Sequence, residues 1–70
     1  MPTQRFVVPG LVPVDQERVT DSLMGLDGVL YAFASPSDGW MEIEFEDDCI
    51  TIEELAGHIA RLGYPASPAG

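Results

Sequence analysis

The chain has no lysine, a single cysteine, and no apolar run long enough to cross a bilayer, which takes ~20 residues. Each shortage removes a class of function. Three arginines, Arg5, Arg18 and Arg61, stand against twelve carboxylates, a formal charge of −9 in 70 residues. Such a balance repels a phosphate backbone, so no nucleic acid is expected as a partner. An anionic membrane surface is disfavoured for the same reason. One cysteine, Cys49, cannot form an internal disulfide and points to a reducing compartment, most simply the cytoplasm. The early apolar stretch from Phe6 to Val14 is cut by Pro9, Gly10 and Pro13, too broken for the core of a signal peptide.

What is present suffices for one small domain over residues 1–70, with a core expected in residues 5–66 and a loosely held tail at 67–70. A hydrophobic content of 46% with six aromatic residues is too rich for a disordered acidic segment. Arg5-Phe6-Val7-Val8 reads as a short strand stopped by Pro9-Gly10. A helix follows, with Asp15 as its expected N-cap, Val14 and Val19 as a hydrophobic staple, and Val19, Leu23 and Leu26 on one face. Val29–Ser35 and Trp40–Glu46 read as two strands joined by the turn Pro36-Ser37-Asp38-Gly39. In the second of them Met41, Ile43 and Phe45 alternate with Glu42, Glu44 and Glu46, so one face is buried and the other meets water. Thr51 with Glu54 forms a capping box for a second helix, whose stripe is Ile52, Leu55, Ile59 and Leu62. A last short strand is expected near Tyr64–Ser67, confined to a sheet edge by its prolines. The order βαββαβ predicts an α+β domain, a ferredoxin-like sandwich with an antiparallel sheet and both helices on one face.

The residues in this order resemble the heavy-metal-associated domain family, which includes small copper chaperones and modules of metal-pumping ATPases. The likeness runs from Arg5 to Ala66. It rests on Phe6-Val7-Val8 followed by Gly10-Leu11, on Leu23, Leu26 and Gly28-Val29 at the first helix exit, and on Gly39 to Phe45. Thr51, Glu53, Glu54 and Leu55 with Ile59 and Leu62-Gly63-Tyr64 complete it. The resemblance implies a copper or zinc site made by a C-x-x-C motif in the loop entering the first helix. Here that loop reads Gly10-Leu11-Val12-Pro13-Val14-Asp15-Gln16, one residue shorter and without cysteine. No ligand position carries over, so no metal cofactor is expected.

Other residues offer less. Cys49 could be a ligand, a redox thiol or a free cysteine; Asp47 and Asp48 beside it are hard donors poorly matched to sulfur and should raise its pKa, which favours the last. His58, between Leu55 and Leu62 at helical spacing, reads as a residue sealing the helix–helix seam rather than a metal ligand or a base. Glu42, Glu44 and Glu46 lie ~6.8 Å apart along the strand, twice its rise. Adjacent pairs at that spacing repel by only about 0.6 kcal/mol in water, so a solvated acidic face costs little. Trp40, with Phe33 or Tyr31 by parity, joins that face, and Arg5 neighbours it. Nothing suggests an enzyme: no nucleophile–base pair and no phosphate-cradling loop are visible. The expectation is a binding module acting through Trp40, Glu42, Glu44 and Glu46 on a protein with a basic surface or on a second copy. The alternative is a metal carrier like its relatives, using Cys49 or a carboxylate–His58 site. Other ferredoxin-like families share the topology, which by itself does not set function.

Overall fold

The computed structural model describes residues 2–69. Its elements are β1 (Thr3–Val7), a 3₁₀ turn (Pro13–Asp15), α1 (Gln16–Met24), β2 (Val29–Ser35), β3 (Trp40–Phe45), α2 (Ile52–Arg61) and β4 (Ser67–Ala69). The four strands form one antiparallel sheet in the order β2-β3-β1-β4. One sheet face supplies Phe6, Ala32, Ala34, Met41, Ile43 and Phe45 to a single buried cluster, and the helices supply Val19, Leu23, Leu55 and Ile59. Both helices therefore cover the same face, the ferredoxin-like α+β sandwich that the element order predicts. The other face is left to solvent. Among the described residues no helix is long and apolar enough to cross a membrane.

The alternation in β3 explains this division. Met41, Ile43 and Phe45 are buried, while Trp40, Glu42 and Glu44 keep contact with solvent. The β2–β3 turn closes with the Asp38 and Gly39 amides donating to the Ser35 carbonyl at 3.1 and 2.9 Å, and Gly39 takes φ +76°. For α2, the Glu54 amide donates to Thr51 Oγ1 and the Thr51 amide donates to Glu54 Oε1, both at 3.1 Å. That capping box satisfies two helix-end donors reciprocally, and Ile50 and Leu55, which stand at the two positions of a hydrophobic staple around it, are both buried.

The structure corrects four local expectations. Asp15 does not cap α1, because the 3₁₀ turn before the helix already holds it in helical geometry (φ −94°, ψ −7°) and a capping side chain needs an extended residue. Val14 is 87% exposed, so it staples nothing. Glu46 lies beyond the end of β3, its amide bound to the Gly28 carbonyl at 2.7 Å. The last strand falls at Ser67–Ala69 rather than Tyr64–Ser67, within the stretch expected to be a loose tail, and pairs Val7 with Ser67 and Arg5 with Ala69. Gly70 lies outside the described residues.

Both sheet edges are guarded. At the β2 edge, Gln16 Nε2 donates to the Ala34 carbonyl at 3.1 Å, and Ala32 and Ala34 are almost wholly covered. β4 is three residues long and carries Pro68, which donates nothing.

Candidate functional site

The loop that enters α1 is built on an apolar anchor. Leu11 is buried, whereas Val12 and Val14 are exposed. The Asp15 carboxylate, free of any capping duty, accepts a hydrogen bond from the Tyr64 hydroxyl and lies 3.4 Å from Arg18. Arg18 Nη2 also donates to the Leu62 carbonyl at 3.2 Å, which ties the start of α1 to the end of α2. The Tyr64 hydroxyl and then Arg18 hold the Asp15 carboxyl below the usual carboxylate range, while the same bond to Asp15 pushes the Tyr64 phenol up. The signs fix the working window. A depressed carboxyl contributes stability above its unfolded value of about 3.9, and this fades as pH falls through the folded pKa. A raised phenol contributes below about 10, and this fades as pH rises through its folded pKa. Tyr64→Phe is expected to return the Asp15 pKa toward its ordinary value, read by a carboxyl-carbon NMR titration; an unmoved midpoint would show that Arg18 alone sets it.

This loop offers a soft metal no fitting donor set. It has no sulfur, and its one carboxylate is already engaged by Tyr64 and Arg18. Among the described residues no three His, Cys, Asp or Glu side chains converge as a metal site. Cys49 is exposed, and its thiol is pushed up chiefly by the charge of Asp48, then by desolvation and by Glu46. Its β-carbon packs against Gly28. His58 Nε2 lies 2.9 Å from Ser22 Oγ and so links α2 to α1 across the seam.

Between the end of β3 and the N-terminal end of α2 lies an open groove of about 270 Å³, lined by Phe45, Ile50 and Ile52 with Asp47 and Glu53. The Thr51 hydroxyl in its wall is committed to the capping box. No nucleophile paired with a base lines it.

The open sheet face is the richer surface. Across three strands, Tyr31, Glu44 and Thr3 form one row; Phe33, Glu42 and Arg5 form the next; Ser35, Trp40 and Val7 form the third. Tyr31 is 54% exposed, Val7 45% and Phe33 44%. The rings of Phe33 and Trp40 meet at 5.8 Å with a 50° tilt. Arg5 lies over the Trp40 ring, 4.1 Å from its centroid, and Arg5 Nη2 stands 3.3 Å from Glu42 Oε2. The face thus gathers Trp40, Glu42 and Glu44, with Glu46 just past the end of the strand, and leaves Cys49 and His58 outside it. Sequence parity places Arg5 near this stripe. The stacking on Trp40 and the part played by Val7 emerge only once the β1–β3 register is known.

Topology and sheet order together define a ferredoxin-like domain with the fold of heavy-metal-associated domains. Solved structures of that type match it nearly end to end. A copper-binding domain from HMA7, a P-type ATPase, is 20% identical and superposes with a TM-score of 0.93 over 100% of this chain and 96% of its own. Oxidized MerP from Ralstonia metallidurans CH34 is 21% identical, with a TM-score of 0.91 over 99% and 97%. The apo copper chaperone of Enterococcus hirae is 21% identical, with a TM-score of 0.86 over 94% and 98%. At such identities the likeness is one of fold. No protein family matches the chain by sequence pattern, and no curated protein matches it.

Proposed function

We propose that this chain is a heavy-metal-associated-type domain without a metal site, a non-catalytic module of a reducing compartment such as the cytoplasm that binds a protein partner with a basic surface. The observation that carries this reading is the open sheet face, where Tyr31, Phe33 and Val7 stay exposed around Trp40 beside two carboxylates. Rigid aromatic rings bury much area at little entropic cost, which suits a contact surface. The loop that holds metal in the domains it resembles is supported here by a Tyr64–Asp15–Arg18 network instead. A net charge of −9 favours a cationic partner and speeds its approach.

Titration of the reduced protein with Cu(I) or Zn(II) against a competing chelator tests the first half. No stoichiometric binding tighter than about micromolar is expected, since an exposed lone thiol with a raised pKa makes a weak site. The copper-binding neighbours favour a second reading, metal binding or transfer through Cys49 or a carboxylate–His58 site. Tight uptake that disappears in Cys49→Ser would establish it. For the second half, Trp40→Ala combined with Glu44→Lys is expected to weaken a basic partner by about tenfold or more; unchanged binding of the folded variant would remove this face from the interface.

A further inference from the structure

We infer that the open sheet face is a guanidinium-binding surface, with one subsite filled by the chain's own Arg5 and a second, at Glu44, that takes an arginine of the basic partner. The inference rests on the docking role proposed above and names the chemistry of its partner.

The first subsite is on display. One guanidinium lies 4.1 Å from the Trp40 ring centroid and 3.3 Å from a Glu42 carboxylate oxygen, so a single planar cation satisfies a ring face and an anion together. Arginine suits this better than lysine, because its flat, weakly hydrated group stacks and hydrogen-bonds at once.

The second subsite has the same ingredients one step along β3, with its rings supplied by β2 instead of β3. Glu44 stands between Tyr31 on β2 and Thr3 on β1, as Glu42 stands between Phe33 and Arg5. Thr3 is too short to act as Arg5 does, and among the described residues Glu44 forms no ion pair. Directly opposite it is the exposed ring of Tyr31, and diagonally opposite the exposed ring of Phe33, within reach of one incoming side chain. Glu44 thus offers a carboxylate beside two exposed aromatic residues, with no guanidinium paired to it among the described residues, the two kinds of partner that Arg5 finds in Glu42 and Trp40.

Other occupants fit less well. Two copies joined face to face would bring together two acidic faces on chains each carrying −9. Edge-to-edge pairing is opposed by Gln16 at β2 and Pro68 at β4. Arg5 is the one arginine on the face among the described residues, and Arg18 and Arg61 belong to the helices.

The test is an NMR titration of isotope-labelled full chain with an arginine hexapeptide and a lysine hexapeptide of equal charge, at physiological salt. The arginine peptide is expected to shift the Tyr31, Phe33 and Glu44 amides and the Trp40 indole, binding at least about threefold tighter than the lysine peptide. Thr3→Arg, which supplies the missing guanidinium from within, should weaken the arginine peptide more than Ala60→Arg, an equal charge change on exposed α2. Equal affinity for both peptides, or equal loss in the two variants, would overturn the guanidinium inference while leaving the docking face standing. Shifts confined to other surfaces would overturn both. Concentration-dependent shifts of Phe33 and Trp40 without peptide would make a second copy the occupant and overturn the inference.

Discussion

Phe6→Ala is expected to leave the chain largely unfolded at room temperature. Phe6 is fully buried on β1, which lies between β3 and β4 in the sheet and faces both helices' contributions to the core. Truncating such a ring costs about 3–5 kcal/mol, from lost transfer energy and the cavity left behind. A core in a chain of this size rarely supplies more than about 3–5 kcal/mol in total, so the two figures meet. Far-UV circular dichroism across a urea series would show it: the expected variant has no folded baseline, and a cooperative transition near that of the parent would mean that neighbours close the void.

Gly28→Ala is the second large effect. Gly28 takes φ +94°, a conformation that costs an L-residue about 1–2 kcal/mol. A β-carbon there would sit 2.8 Å from Cys49 Cβ and 3.1 Å from Ile50 Cγ2, and such overpacking adds about 1–3 kcal/mol. The contact cannot relax freely, because the Gly28 carbonyl accepts from the Glu46 amide at 2.7 Å and Ile50 is buried. The melting temperature is expected to fall by about 10 °C or more. Adding Cys49→Gly removes the tighter contact but not the backbone cost, so part of the loss should return. Full recovery would assign the whole effect to crowding. A melting temperature unchanged in Gly28→Ala would mean that the loop after β3 moves aside.

Phe6 and Gly28 also show what can be read from the chain and what cannot. Features whose causes lie within a few residues were legible. The Thr51–Glu54 box, the alternation of β3 and the turn at Gly39 each follow from local spacing, and with them the order that makes the fold ferredoxin-like. The absence of sulfur between Gly10 and Gln16 was equally plain. Features that depend on distant register were not. Tyr64 meets Asp15 across 49 positions, and nothing near Asp15 announces that a 3₁₀ turn will carry its carboxylate away from the helix end. The stacking of Arg5 on Trp40 needs the pairing of Val7 with Trp40, which no local pattern specifies. The same holds for β4: two prolines marked an edge, but which residues lie against β1 is decided by the path of the chain after α2.

The pairing of Phe6 with Pro68 has a kinetic consequence. During synthesis β1 is made before β4, so one of its two flanks stays uncovered until residues 67–69 emerge. Closing so long a loop is slow compared with hairpin or helix formation. A chain that already holds the β2–β3 hairpin and α2 but not β4 would therefore carry β1 as an open edge strand until three residues pair with it.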